Sequence, residues 1–194
     1  MKRFTFVFAL ALLVTSFAYA QDYKKFKVGF GVGYAGASGN GSSGGVLATF
    51  EPAYRIQDNL SIGLRMEAAV ITRGYSQSIG SATLSIAGIS SYTVNGQYYF
   101  GSGGDFRPFG GLGIGFYSMA AVKADVSGSG TSTQIAAAES KFGLYPRLGF
   151  DFHHFSMSAD YNIVSNTKDP SGGGEFKNSY FGLRLGFFVG GGKK

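Results

Sequence analysis

Three groups of residues in this 194-residue chain have types and spacings that could do chemistry. His153 and His154 are its only histidines, and an imidazole can act as a base or a metal ligand. The chain has no cysteine and no third histidine to complete a metal site beside them. They interrupt two alternating apolar runs at the point where a tight turn is expected, and they read as turn residues. The second group is Gly31-Val-Gly-Tyr-Ala-Gly36, which has the glycine spacing of a dinucleotide-binding loop. Such a loop must leave a strand and open a helix. Here the glycines alternate with Val32 and Tyr34 and run into SGNGSSGG, so the strand continues through them and no nucleotide site is expected. The third group is a set of charges placed at every second residue: Glu51, Arg55, Arg65, Glu67, Arg73, Arg107, Lys141, Arg147, Asp151, Asp160 and Arg184, with Lys25 and Lys27 before them. Their chemistry depends on whether the face that carries them meets water or is enclosed.

Alternation of this kind needs β-strands, in which successive side chains point to opposite faces. The whole chain after residue 24 alternates with a period of two, and helical periodicity is absent. Eight strands are predicted, over 25–37, 46–57, 60–73, 89–100, 107–122, 139–152, 155–164 and 178–189. Short connections are expected at Asp58-Asn59, 101–106 and His153-His154. Long ones rich in Gly, Ser, Thr and Asn are expected at 38–45, 74–88, 123–138 and 165–177. In an up-and-down meander this places every long connection at one end of the sheet.

The two faces differ sharply. One carries Phe26, Val28, Phe30, Val32 and Tyr34 in the first strand, Leu60, Ile62, Leu64, Met66 and Val70 in the third, and Phe181, Leu183, Leu185, Phe187 and Val189 in the last. The other carries the charges and many glycines, among them Gly29, Gly31, Gly33, Gly111, Gly113, Gly115, Gly143, Gly149, Gly182 and Gly186. Glycine is depleted from ordinary strands because it leaves nothing to pack. Facing a narrow interior, it makes room for long Arg, Glu and Tyr side chains. The apolar face then points outward, and an exterior of Phe, Leu, Ile and Val suits hydrocarbon and would aggregate in water. Thirteen charges and ten glycines would make a poor apolar calyx, which argues against a soluble barrel of the lipocalin kind. The expected fold is therefore all-β, an eight-stranded antiparallel up-and-down transmembrane β-barrel. Its closed ladder pairs every backbone group that lipid cannot satisfy.

The first twenty residues, MKRFTFVFALALLVTSFAYA, have a basic start, an apolar run from Phe4 to Val14 and small residues at Ala18 and Ala20. That is the pattern of a cleaved secretory signal peptide, with residues 21–194 as the mature barrel. The formal charge is +6, of which Lys2 and Arg3 supply two, leaving +4. These basic residues are scattered, so nucleic acid is not an expected partner.

The last strand, Tyr180-Phe-Gly-Leu-Arg-Leu-Gly-Phe187, resembles the C-terminal signal by which outer-membrane barrels are recognised for assembly, with Tyr180, Gly182, Leu185 and Phe187 as its elements. Together with the leader and the strand pattern, the chain resembles the small bacterial outer-membrane β-barrel superfamily, of the outer-membrane protein A and X type. Its glycine- and tyrosine-rich style is similar to Bacteroidetes versions. Two departures stand out: Val189-Gly-Gly-Gly-Lys-Lys194 follows the terminal aromatic, and Pro52 and Pro146 lie inside strands, where bulges or a frayed ladder are expected. The resemblance implies an integral outer-membrane location with a periplasmic N-terminus. It also implies partnership with outer-membrane lipid, lipopolysaccharide and the barrel-assembly machinery, and four long extracellular loops that could bind a surface ligand. Some barrels of this kind modify lipid A with a histidine and a serine near the outer leaflet, but His153 and His154 are at the opposite end. No catalytic residue, metal or cofactor is expected. The inward set holds nine basic and four acidic residues. They are expected to pair across the lumen and plug it, with Lys25 and Lys27 wet at the periplasmic rim. A narrow, anion-preferring channel is the alternative reading.

Overall fold

The computed structural model describes residues 22–37, 44–78, 81–100, 104–127, 130–168, 175–176 and 178–193. The expected signal peptide lies outside them. Among the described residues ten strands occur in chain order: β1 Phe26–Ala37, β2 Gly44–Gln57, β3 Leu60–Ser78, β4 Ser81–Tyr99, β5 Phe106–Ser127, β6 Gly130–Phe152, β7 Phe155–Val164, β8 Thr167–Lys168, β9 Glu175–Phe176 and β10 Tyr180–Gly190. Eight of them form one closed barrel in the order β1-β10-β7-β6-β5-β4-β3-β2. The two-residue strands β8 and β9 form a small separate sheet in the connection from β7 to β10. Closure is made by β10 on β1, from Lys27 opposite Gly190 to Ala37 opposite Tyr180.

The tight turns fall where the alternation breaks. β2 ends at Gln57 and β3 starts at Leu60, and β6 ends at Phe152 and β7 starts at Phe155. His153 adopts a positive φ of 52° in the second of these turns. Two of the expected long loops prove to be largely strand. β3 and β4 pair as far as Ser78 opposite Ser81, and β5 and β6 as far as Ser127 opposite Gly130. β2 stays paired to β3 only up to Gly45 opposite Ile71, and β7 to β6 only up to Gly143 opposite Val164. The sheet β3-β4-β5-β6 therefore runs well beyond the ends of its neighbours. Gly and Ser content suggested loops here, but Thr83, Ile86, Val122, Val126, Thr131 and Ile135 are strong strand formers, and a hairpin already paired at its base extends by one pair at a time.

The two in-strand prolines interrupt the ladder without shifting its register. Pro52 sits opposite Val28 on β1, while pairing to β3 lapses between Phe50–Met66 and Ala53–Gly63. Pro146 sits opposite Leu112 on β5, while pairing to β7 lapses between Leu144–Ile163 and Arg147–Asp160. Each proline thus keeps one neighbour and frays from the other, as its missing N–H requires. The register shifts lie elsewhere, at Arg55/Gln57, Thr72/Tyr75 and Met119/Ala121.

Alternation sorts the side chains as a membrane barrel needs. Leu64, Val94, Ile114, Leu148 and Leu185 are exposed on the outside, each by about half or more, whereas Arg65, Asn162 and Tyr180 on the inside have no exposure at all. Inward glycines make room for the rings that fill the lumen. A Cβ on Gly113 would stand 2.2 Å from the ring of Tyr145, its cross-strand neighbour, and one on Gly143 would stand 2.8 Å from the ring of Tyr117. Gly113→Val must therefore displace Tyr145 and is expected to lower stability by about 1–3 kcal/mol, the usual cost of overpacking. Gly96→Ala is the control, since a Cβ there meets nothing within 4 Å. Urea unfolding of both variants refolded in lipid checks this, and equal midpoints would contradict the packing described.

Candidate functional site in the barrel lumen

The enclosed face is filled in layers from the tight-turn end to the hairpin end. Nearest the tight turns, Lys27 of β1 bonds the Asp151 carboxylate of β6, and Tyr99 donates to the same Oδ2 at 3.0 Å. The Lys27 ammonium also lies 4.0 Å from the centre of the Phe188 ring. Lys27 was expected to be wet at the rim. Instead its side chain is 13% exposed, because a carboxylate and an aromatic face inside the barrel replace its water. Lys25 is half-buried. Arg55 and Arg107 lie at this same end. Each donates to the backbone carbonyl of Asp58 and packs its guanidinium on the rings of Tyr23 and Tyr99.

The second layer is one ion pair with its supports. Arg147 Nη1 donates to Glu51 at 2.7 and 2.8 Å. Asn95 and Gln97 donate to Glu51 Oε1 at 3.2 and 2.9 Å. Glu51 is on β2 and Arg147 on β6, four strands apart in either direction around the ring, so this bond spans the full diameter.

The third layer is denser. Arg65 of β3 donates to Asp160 of β7 at 3.0 Å and to Asn162 at 2.8 Å. These strands too are diametrically opposed. Arg184 of β10 bonds both Glu67 and Asp160. Tyr180 donates to Glu67, Tyr117 donates to Asn162 at 2.8 Å, and the Asn162 amide donates to Asp160 at 2.6 Å. The Arg65 guanidinium stacks 3.4 Å from the centre of the Tyr145 ring. Above this layer an apolar cluster of Ala35, Leu47, Ala69, Ile71, Ile89 and Val164, with the Tyr117 and Tyr180 rings, fills the section towards the long hairpins.

Enclosure explains this arrangement. A buried charge without a partner costs several kcal/mol, so residues taken into a narrow lumen must find counter-charges or hydrogen bonds across it. Glycines 29, 31 and 186, with Thr49, Ser156 and Ser158, leave a void of about 40 Å³ that Glu51, Arg147 and Arg184 also line. At roughly 10–15 Å³ each, a few water molecules fit there.

Not every predicted interior charge joins these layers. Lys141 pairs instead with Glu139 of its own strand near the hairpin end, where Glu139 is half exposed, so it stands apart from the network. The backbone of Arg73 lies in β3 beside the register shift, and its side chain is outside the described residues. The four assembly-signal residues divide between faces: Tyr180 and Gly182 point inward, and Leu185 and Phe187 outward. The lumen also uses Tyr99, Tyr117, Tyr145, Asn95, Gln97 and Asn162, which the charge pattern alone did not single out. Parity identifies them, since each shares its strand's inward phase with a charged residue or, on β4, with the inward Ser91 and Thr93.

His153 and His154 lie in the β6–β7 turn. His153 Nε2 is 3.9 Å from the exposed Asp105 carboxylate, and His154 Nδ1 is 3.0 Å from the Phe188 carbonyl, both at the tight-turn end. Among the described residues no group of three or more His, Cys, Asp or Glu could hold a metal ion. Gly31 and Gly33 sit mid-strand opposite Gly186 and Arg184, with no helix after them among the described residues.

Comparison with known proteins follows this geometry. A family model described as outer membrane protein beta-barrel domain matches residues 6–187. The crystal structure of Neisserial surface protein A is 18% identical, with 85% of this chain and 96% of that chain covered and a TM-score of 0.51, which marks a shared fold. The attachment invasion locus protein of Yersinia pestis is 14% identical, covering 88% of this chain and 100% of that one at a TM-score of 0.42. The outer membrane protein OprG from Pseudomonas aeruginosa is 13% identical, covering 88% and 98% at a TM-score of 0.46. No curated protein matches the sequence.

Proposed function

The chain belongs to the outer membrane protein beta-barrel domain family and is an integral protein of the Gram-negative outer membrane, and on that premise we propose that it is a closed, non-catalytic barrel whose work is done at the cell surface. One observation carries the closed reading. The Arg65–Asp160 and Glu51–Arg147 pairs each cross the full diameter of the lumen, at two different depths. Hydrated ions would have to break both pairs to pass. The apolar cluster beyond them adds a third obstruction. A barrel obstructed in this way serves as an anchor, surrounded by outer-membrane lipid and lipopolysaccharide and inserted by the barrel-assembly machinery through its terminal strand.

What it anchors is the extended sheet β3-β4-β5-β6, which runs past the ends of β2 and β7. Structured hairpins that project from a rigid scaffold are where binding residues concentrate. We assign the tight turns to the periplasm and these hairpins to the cell exterior, where they would contact a surface ligand. An epitope inserted between Ser78 and Ser81, or between Ser127 and Gly130, should bind antibody on intact cells. An epitope at Asp58-Asn59 should be reached only after the outer membrane is permeabilised. The reverse pattern would overturn both the orientation and the surface role.

A further inference from the structure

The interior charges do not balance. Lys27, Arg65, Arg147 and Arg184 meet Glu51, Glu67, Asp151 and Asp160 in the ion pairs above, which leaves Arg55 and Arg107 without a carboxylate in direct contact among the described residues, the Asp58 and Asp151 carboxylates acting on Arg55 only from further off. Both are buried, at 3% and 8% exposure, and both donate to one carbonyl, that of Asp58, so two positive groups lie side by side. Their counterpart is a residue that precedes the barrel. The Tyr23 ring is 6% exposed, with the Arg107 guanidinium 3.9 Å and the Arg55 guanidinium 4.9 Å from its centre. Such stacking is most favourable where water is excluded.

The segments that flank β1 and β10 are shaped to hold that ring. The backbone N–H groups of Asp22 and Tyr23 donate to the Asp58 carboxylate at 3.1 and 3.3 Å. After β10 the chain bends through Gly190 and Gly191, at φ of 79° and 67°, which only glycine adopts easily. The bend brings Gly191 O within 3.2 Å of Arg55 Nη2 and Gly192 O within 2.8 Å of Lys24 N, and pairs Lys193 with Tyr23. A Cβ on Gly190 would stand 2.2 Å from the Phe26 carbonyl oxygen. The residues after the terminal aromatic, an apparent departure from the assembly signal, thus have a structural task.

We propose that the segments just before β1 and just after β10 form a latch over the tight-turn mouth of the barrel, with the Tyr23 ring as its bolt between Arg55 and Arg107. The latch is separate from the diametric ion pairs. Releasing it opens a wet, positively charged vestibule that ends at the Glu51–Arg147 layer. The hydroxyl of Tyr23 has no hydrogen-bond partner among the described residues, so the side chain contributes through its ring, beside the backbone bonds of Asp22, Tyr23 and Lys24.

The chain lacks cysteine, which permits a clean accessibility test. Ser61 is buried, faces inward and stands opposite Arg55 and Gln97, so Ser61→Cys reports on the vestibule. Ser91 is buried beyond the ion pairs, opposite Glu67, so Ser91→Cys is the deep control. The probe is an anionic methanethiosulfonate reagent applied to refolded full-length protein. Ser61→Cys should react slowly in the parent and in Tyr23→Phe. It should react at least about tenfold faster in Tyr23→Ala and in a chain ending at Gly190, because thiol reactivity follows exposure. Ser91→Cys should stay slow throughout. Both opened variants should keep the heat-modifiable gel mobility of a closed barrel. Loss of the barrel in both would make the segment part of the wall and overturn the latch. Fast Ser61→Cys labelling in the parent, or slow labelling in the folded Tyr23→Ala and truncated chains, would also overturn it. Fast labelling of Ser91→Cys in the parent would instead defeat the closed-lumen reading.

Discussion

Asp160→Leu is expected to destabilise the barrel by about 3–5 kcal/mol, the cost of breaking a buried ion pair by removing one partner. Asp160 accepts from Arg65, Arg184 and Asn162. Without it, two buried guanidiniums would face Glu67 alone. The Coulombic repulsion between them would be only partly offset, and both guanidiniums are buried. Adding Arg65→Met should restore part of the loss, because it removes one of the two orphaned charges. The double variant should therefore be more stable than the sum of the single changes predicts. Urea unfolding in lipid vesicles measures all three. A cost below about 1 kcal/mol for Asp160→Leu would correspond to a solvated surface pair, and would mean that this part of the lumen is wet.

Leu64→Arg should fail on the other face. Leu64 is half exposed on the outside of β3, near mid-strand, opposite Val94 of β4. A charge placed there enters hydrocarbon at roughly 2–4 kcal/mol at the midplane of a membrane barrel. The fair comparison is a neighbouring inward residue. Gly63 is a poor choice because a Cβ there would meet Pro52 O at 3.1 Å and Asn95 Oδ1 at 3.2 Å. Thr93→Ser is better, since Thr93 lies inward opposite Arg65 and serine keeps the hydroxyl that donates to the Arg65 carbonyl at 3.4 Å. It should refold with nearly the parent's yield, while Leu64→Arg loses most of it, as read by heat-modifiable mobility. Equal yields would mean that the apolar face does not meet lipid.

The faces, the number of barrel strands and the tight turns were legible in the sequence because each rests on a local rule. A period of two needs only neighbours two apart, and the turns at Asp58-Asn59 and His153-His154 break that period abruptly. The hairpin extensions at 74–88 and 123–138 were not legible, because Gly, Ser and Thr mark solvated strand and solvated loop alike. The pairings inside the lumen were also out of reach. That Arg65 meets Asp160 and Arg147 meets Glu51 depends on how far each strand is staggered around the closed ring, a property of the whole barrel. Lys27 departs from its expected place for the same reason: its depth along β1 suggests a wet rim, but Asp151 and Phe188 arrive from β6 and β10. The contacts of Gly191 and Tyr23 depend on bringing together the segments before β1 and after β10, which no local pattern reveals.

Ionic current through the purified, refolded protein in a planar lipid bilayer tests the closed lumen most directly. With two diametric ion pairs and an apolar section in series, the folded barrel should add no steady current steps above the bare membrane, in salt from low to high concentration. Steady single-channel steps that appear only with folded protein would contradict the account. A preference for anions in those steps would favour a passive channel in its place.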